Sequence, residues 1–250
     1  MDALLARAAF VFRGRVESLG TTTTAAAAAS ELSSTVRVVE VIRAPQALQR
    51  YAGQLITVEL SSSEGVEVGA SFVFLTRPKV FADTLVVTEI GRQADTPGAA
   101  AESGVFDSLA RVGVAAVQAR IDSADAIVVG RVSNVRPSLI AAATPGMWEG
   151  LSEHDPAWME AVVQVDSVMS GDVAASTPVT ILFPSSIDIA WYNAPKYAAG
   201  QRGVFLLHSD QVPAAAAEVV GPTYTTLHPQ DFHPDELEPQ LRALVERSHP

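Results

Sequence analysis

The sequence predicts a mainly β protein with flanking helices, built as two five-stranded barrels in tandem, and three observations carry that expectation. The stretch Ala9-Phe10-Val11-Phe12-Arg13-Gly14-Arg15-Val16 returns in altered form as Ala126-Ile127-Val128-Val129-Gly130-Arg131-Val132. Both are apolar runs with an inner glycine, and both end in Gly-Arg-Val. The segments after the two copies match in order and type, and each half breaks into about five short runs rich in Val, Ile and Phe, the composition of a small closed sheet. A pair of small two-sheet sandwiches is the competing arrangement. The expected division is a first unit over 1–98, a linker and helix over 99–122, and a second unit over 123–250.

Leu4, Leu5 and Ala8 predict a short helical lead-in. Phe10 to Glu17 then alternates, with Phe10, Phe12, Gly14 and Val16 on one face, as in a strand buried mainly on one side. Residues 18–34, with Thr21 to Thr24 and Ala25 to Ala29, read as a flexible excursion: β-branched threonines oppose helix nucleation and the segment has little to bury. Thr35 to Arg43 is a second strand whose offset valines suggest a bulge, and Ala44-Pro45 stops it. A helical turn from Pro45 to Tyr51 comes next, then a strand over Leu55 to Leu60 and a fourth over Ala70 to Thr76. Arg77-Pro78-Lys79 is expected to break the fourth strand, and Leu85 to Ile90 supplies a fifth.

Val105, Leu109, Val112 and Ala116 recur at helical spacing, which places a helix over Val105 to Ile121 ahead of the second copy. There, Ala161 to Met169 answers Thr35 to Ile42, Val179 to Phe183 answers Ile56 to Leu60, and Gly200 to Leu207 answers Gly69 to Thr76. Tyr224 to Leu227 is the expected fifth strand. Pro234 to Arg247, with Leu237, Leu241, Leu244 and Val245 as its apolar stripe and acids in its first turn, makes a closing helix.

This order of strands, the glycine before each fourth strand and the flanking helices resemble the oligonucleotide/oligosaccharide-binding barrel and its netrin-like branch, which includes the tissue inhibitors of metalloproteinases. The inhibitors' protease-binding activity does not transfer, because they reach the active-site zinc through an N-terminal cysteine, whereas this chain begins Met1-Asp2 and contains no cysteine. The stretches Ser152-Glu153-His154-Asp155-Pro156 and Trp191-Tyr192-Asn193-Ala194-Pro195-Lys196 are also similar to those of a bacterial family of no established activity.

Composition removes several functions. Without cysteine there are no disulfides, thiolate metal sites or thiol nucleophiles. An acid at position 2 and no long apolar run behind it favour a cytoplasmic protein, and no apolar stretch approaches the length of about 18 residues that crosses a bilayer. Residues 1–122 hold 11 Lys/Arg and 13 Asp/Glu (net −2), whereas 123–250 hold 6 and 15 (net −9). Nucleic acid or anionic membrane needs clustered cations, so neither is an expected partner.

All five histidines and all three tryptophans fall after residue 145, so the second unit's loops are where binding residues collect. The first candidate is the connection carrying Trp191, Tyr192, Asn193, Lys196 and Tyr197, with His154 and Trp158 as neighbours. Large rigid rings beside a rare cation suit a protein-binding hot spot, and the same rings could instead plug one end of the barrel. The second candidate is an acid and imidazole set: Glu153, His154 and Asp155, with His228, Asp231 and His233. Two imidazoles and a carboxylate can hold zinc if brought together, but each motif also reads as a helix cap. Gly-x-Ser-x-Gly is absent, and Ser185-Ser186 has no neighbouring base. His208, at the end of an apolar run, reads as an edge residue. The leading expectation is therefore a non-enzymatic binding or scaffolding protein with a protein partner and neither metal nor cofactor. The alternative is a metal-dependent or acid/base hydrolase using His154, Asp155 and His233.

Overall fold

Chain contacts divide the protein into Met1–Val114 and Ala115–Pro250. The computed structural model describes residues 2–25, 27–81, 84–95, 101–138, 156–188, 190–209 and 223–248, with the backbone alone at 80–81 and 101–109.

In unit 1, helix α1 (Asp2–Arg7) leads into β1 (Phe10–Leu19), β2 (Ser33–Arg43), β3 (Leu55–Glu59), β4 (Ser71–Phe81) and β5 (Leu85–Ala94). These close in the order β1-β2-β3-β5-β4, with β4 returning to β1; β3 and β5 run parallel and all other neighbours antiparallel. Period-two alternation sends Phe10, Phe12 and Val16 into the barrel with Val36, Val38 and Ile56. The rings of Phe10, Phe12 and Phe74 stack at centroid separations of 4.7 and 5.3 Å. The first strand is buried mainly on one side from Phe12 to Glu17, and the exception is at its start. Val11, on the opposite face, is fully buried with Leu5, Ala8, Val73 and Leu75, because α1 packs on the outside of β1 and β4.

Three expectations for this unit need correction. The β4 strand runs straight through Arg77-Pro78-Lys79, because a register shift between Pro78 and Val80 absorbs the missing N–H where Pro78 faces Val87. The β5 strand extends four residues further than expected, to Ala94. The segment after β1 is tied down by hydroxyls: Thr21 Oγ1 lies 2.9 Å from Thr35 Oγ1, and Thr23 both donates its N–H to Thr57 Oγ1 (2.8 Å) and shares a hydroxyl bond with it (2.9 Å). The β-branched residues that discourage helix here pair along the sheet instead.

Helix α2 spans Ala101–Ser123, and the division between the units falls inside it. Unit 2 continues with β6 (Ala126–Pro137), β7 (Trp158–Ser170), β8 (Pro178–Pro184), β9 (Arg202–Leu207), β10 (Thr223–Thr225) and β11 (Phe232–Pro234), and ends in helix α3 (Glu238–Ser248). Val128, Val163, Ile181, Phe183, Tyr197 and Phe205 form its inner core. Ile121 of α2 and Leu241, Leu244 and Val245 of α3 cover the other face of β6 and β9. Leu237 stands 40% exposed, because a 3-10 turn over Asp235–Leu237 precedes the helix and rotates it off the expected stripe.

The second sheet is not a barrel. It is open and six-stranded, in the order β10-β8-β7-β6-β9-β11, and ladder registers show where it fails to close. Its pairings follow unit 1 through four strands, and β10 runs parallel to β8 as β5 does to β3. In unit 1, Thr88 faces both Glu59 and Arg77, and four residues later, at Arg92, the strand is paired with Phe74. In unit 2, Thr225 faces Leu182 of β8 and meets His208 in an isolated bridge. The next pairing with β9 waits until Phe232 faces Phe205. Residues 226–231 intervene where unit 1 has only 89–91, so the fifth strand is split in two and the closing ladder shrinks to one bridge. Each unit is built on a single sheet, which removes the two-sheet sandwich. Among the described residues no helix is long and apolar enough to cross a membrane.

Candidate functional site

The aromatic connection between β8 and β9 is shaped by Asp188. Its side chain accepts from the Ala190 N–H (2.9 Å) and its carbonyl from the Trp191 and Tyr192 N–H groups (2.9 and 2.8 Å), a turn that short acidic side chains favour. The start of the connection is fastened to the start of β7. Ser185 donates both its hydroxyl (2.8 Å) and its N–H (3.2 Å) to the Ala157 carbonyl.

The expected site residues separate into two groups. Trp191 packs edge-on against Trp158 at 5.6 Å and 63°, on the face of β7 opposite the inner core; Trp158 is buried and Trp191 half-buried. Lys196, also half-buried, donates from Nζ to the Trp191 carbonyl at 2.9 Å, and burial pushes its ammonium down to about 8. Asn193 is half-buried and Tyr192 buried in the same turn. Tyr197 lies elsewhere. Its ring sits in the core at 5.1 Å from Phe183, 5.6 Å from Phe205 and 5.6 Å from Phe232, its hydroxyl donates to Thr226 Oγ1 at 3.0 Å, and burial drives its pKa well above the phenol range. Tyr197 therefore fills the sheet's interior, whereas Trp191, Asn193 and Lys196 keep part of their surface in solvent and Trp158 is buried against Trp191. His154 lies outside the described residues, as do Glu153 and Asp155.

A fully buried acid that sequence reasoning passed over stands beside the tryptophans. Glu160 accepts from Arg136 Nε (2.9 Å) and Ser138 Oγ (3.1 Å), and strand alternation puts it on the same face as Trp158. That alternation was a usable signal, since Trp158 and Glu160 are two residues apart.

The acid and imidazole set is partly assembled, for a structural purpose. Asp231 is completely buried and accepts from Arg120 Nε of α2 at 2.7 Å and from the His228 N–H at 2.8 Å. His208 Nε2 lies 2.6 Å from the Arg120 guanidinium and 3.4 Å from Asp231 Oδ1. Burial alone would raise the Asp231 pKa, but the neighbouring His208 ring, the Arg120 guanidinium and the His228 N–H outweigh it and hold the carboxyl below its ordinary value. His228 caps the 3-10 turn over Pro229–Asp231, its ring accepting from the Gln230 N–H through Nδ1 (3.2 Å) while Asp231 answers on the His228 N–H. Asp231 does take part in a cap, but with His228 on this 3-10 turn and not before the final helix as expected; the lead-in to that helix starts at Pro234 with no side-chain cap. His233 Nε2 bonds the Gln230 carbonyl at 2.9 Å. Arg120 was not legible as a partner, because nothing local connects position 120 with 231. Among the described residues no three His, Asp or Glu side chains converge as a metal-binding group.

Titration offers a direct check on the aromatic surface. The chain has two lysines, Lys79 and Lys196. After reductive 13C-methylation, one dimethyl-lysine resonance should titrate with a midpoint near 8 and vanish in Lys196→Arg. A midpoint in the ordinary lysine range for both would mean that Lys196 stands in water.

No protein-family model matches this chain, and no curated protein matches it.

Proposed function

We propose that the protein is a non-enzymatic binding or scaffolding module whose second unit presents Trp191, Asn193 and Lys196, with the buried Trp158 packed against Trp191, to a protein partner. The observation that carries this is the construction of the Trp191 turn. A half-buried indole is held against a second indole, with a partly desolvated cation fixed to its own carbonyl, on a segment anchored to β7. Rigid aromatic area costs little entropy to immobilise, and an ammonium already stripped of part of its water loses less on meeting a carboxylate. The matched ladder registers support a further reading, that both units descend from one OB/netrin-like barrel and that the later copy lost closure when residues 226–231 lengthened.

Tagged protein should retain a partner that Trp191→Ala retains at least about tenfold less, the loss expected for a central aromatic contact worth about 1.4 kcal/mol or more. The far-ultraviolet spectrum and melting temperature of the variant should stay within a few degrees of wild type. Tyr197→Phe is the contrasting variant: it removes the hydroxyl bond to Thr226, costs about 1 kcal/mol of stability and leaves retention unchanged. Equal retention by Trp191→Ala and wild type, or wild type that retains nothing, overturns the proposal.

A further inference from the structure

The segment that splits the fifth strand of unit 2 is held in a way that depends on protonation, and the dependence is geometric. Residues 226–231 cross the gap between β10 and β11, and their one regular feature is the 3-10 turn capped by His228. A ring nitrogen that accepts a hydrogen bond must carry a lone pair, so the cap exists only while His228 is neutral. Among the described residues the segment's other attachments include the bridge of Thr225 to His208, three paired residues of β11 on β9, the Phe232 ring against Tyr197 and Phe205, the Tyr197 hydroxyl on Thr226, and Asp231 bonded to Arg120. Gly203 is what lets β11 lie so close, since a Cβ there would stand 2.3 Å from the His233 carbonyl oxygen and 2.6 Å from the Phe232 ring.

We propose that residues 226–234 form an acid-released latch across the open seam of unit 2, with His228 as its sensor. Among the described residues, the charged or titratable groups acting on His228 are Asp231 in its own turn, Arg120 from α2 and His208 from the end of β9. Burial holds His228 below its ordinary value; Asp231 opposes this, while Arg120 and His208 add to it. Acid therefore favours the released form: the latch is fully set above about 6.5, the unperturbed imidazole value, and weakens as pH falls below it. Asp231 is held below 3.8 and keeps its charge throughout that window, so the Arg120 clamp is not what acid removes first. His233 is also held low by burial, but its bond to the Gln230 carbonyl survives protonation, because a protonated ring still donates. The latch involves the seam alone and stands whatever the Trp191 surface binds.

Hydrogen exchange on the full chain, corrected for intrinsic rates, tests it. Between pH 7 and 5.5 the amides of 223–234 should lose protection by up to about tenfold per pH unit, the limit for uptake of one proton, while β6 to β8 keep theirs. His228→Asn retains a capping acceptor that does not titrate and should cut the acid response to the smaller part carried by His233, while preserving protection at pH 7. Gly203→Ala should displace β11 and reproduce the released pattern at pH 7. The latch is overturned if wild-type 223–234 stays protected at pH 5.5, if it opens only together with β6 to β8, or if Gly203→Ala leaves it closed. An acid response that persists in His228→Asn and disappears in His233→Gln overturns His228 as the sensor.

Discussion

Asp231→Ala is expected to destabilise unit 2 by about 3 kcal/mol in urea unfolding followed by tryptophan fluorescence. All three tryptophans lie in that unit, so the signal reports it without contribution from unit 1. The Asp231 side chain has no exposed surface and satisfies the Arg120 guanidinium and the His228 N–H at once. Removing one member of a buried pair costs about 3–5 kcal/mol, because the other charge is left without a partner. The lower end applies here, since the Arg120 side chain is 27% exposed and can turn toward water. The pH profile separates this effect from a simple packing loss. A carboxyl held below its ordinary value in the folded state stabilises above the unfolded value of 3.8, and that stabilisation disappears as pH falls through the folded value. Wild type should therefore lose stability in two stages. One lies below about 6.5, from His228 and His233, whose neutral forms the folded state prefers. The other lies below 3.8, from Asp231 and from Asp125, whose carboxyl the Ser209 N–H and hydroxyl hold below its ordinary value. The variant should show a smaller second stage and a larger first one, because the Asp231 charge offsets part of the burial penalty on both imidazoles. A loss under about 1 kcal/mol, the range of a solvent-screened pair, would mean that water reaches the Arg120 pair.

Local pattern carried much of this fold. Strand faces such as Phe10, Phe12 and Val16 followed from alternation, whereas the second barrel expected from the likeness of the two halves is an open six-stranded sheet. Closure did not follow, because it depends on whether one strand can pair with two neighbours along its length, and the segment 226–231 that interrupts this pairing looks in sequence like an ordinary loop. A cap was expected at Asp231 or His233, before the final helix, and it stands earlier, on the turn opened by His228-Pro229; what no period records is that capping at that point pulls the chain out of the ladder. The candidate site shows the same limit. Trp191 and Lys196 were legible as unusual residue types in an acidic half, and Tyr197 was grouped with them by adjacency alone. Crossing from the outer face at Trp191 to the core at Tyr197 takes six residues, and only three-dimensional packing separates the two roles. The Arg120–Asp231 pair joins residues 111 positions apart and had no sequence signature.

Gly130→Ala should cost unit 2 about 3 kcal/mol, and Gly14→Ala should cost unit 1 markedly less, although the two glycines hold matching places in the repeated stretch. Each sits at a register shift in its ladder, between Arg13 and Gly14 on β1 and between Val129 and Gly130 on β6, where the strand bends sharply over its neighbour. A Cβ at 14 would meet Val36 Cγ1 at 2.6 Å and the Phe12 ring at 2.8 Å, side chains that can yield by rotation. A Cβ at 130 would meet the Gln164 carbonyl oxygen at 2.4 Å and Val163 Cγ1 at 2.7 Å. Backbone cannot yield without breaking the β6–β7 pairing around it. Overpacking of this kind costs about 1–3 kcal/mol, with the upper value where no rotamer relieves the clash. Urea unfolding followed by tryptophan fluorescence for Gly130→Ala, and by far-ultraviolet dichroism for Gly14→Ala, gives the two values. A cost at 14 equal to or above that at 130 would show that the Phe12 and Val36 side chains are locked as firmly as backbone, and that the closed barrel of unit 1, rather than the open sheet of unit 2, tolerates least at its bend.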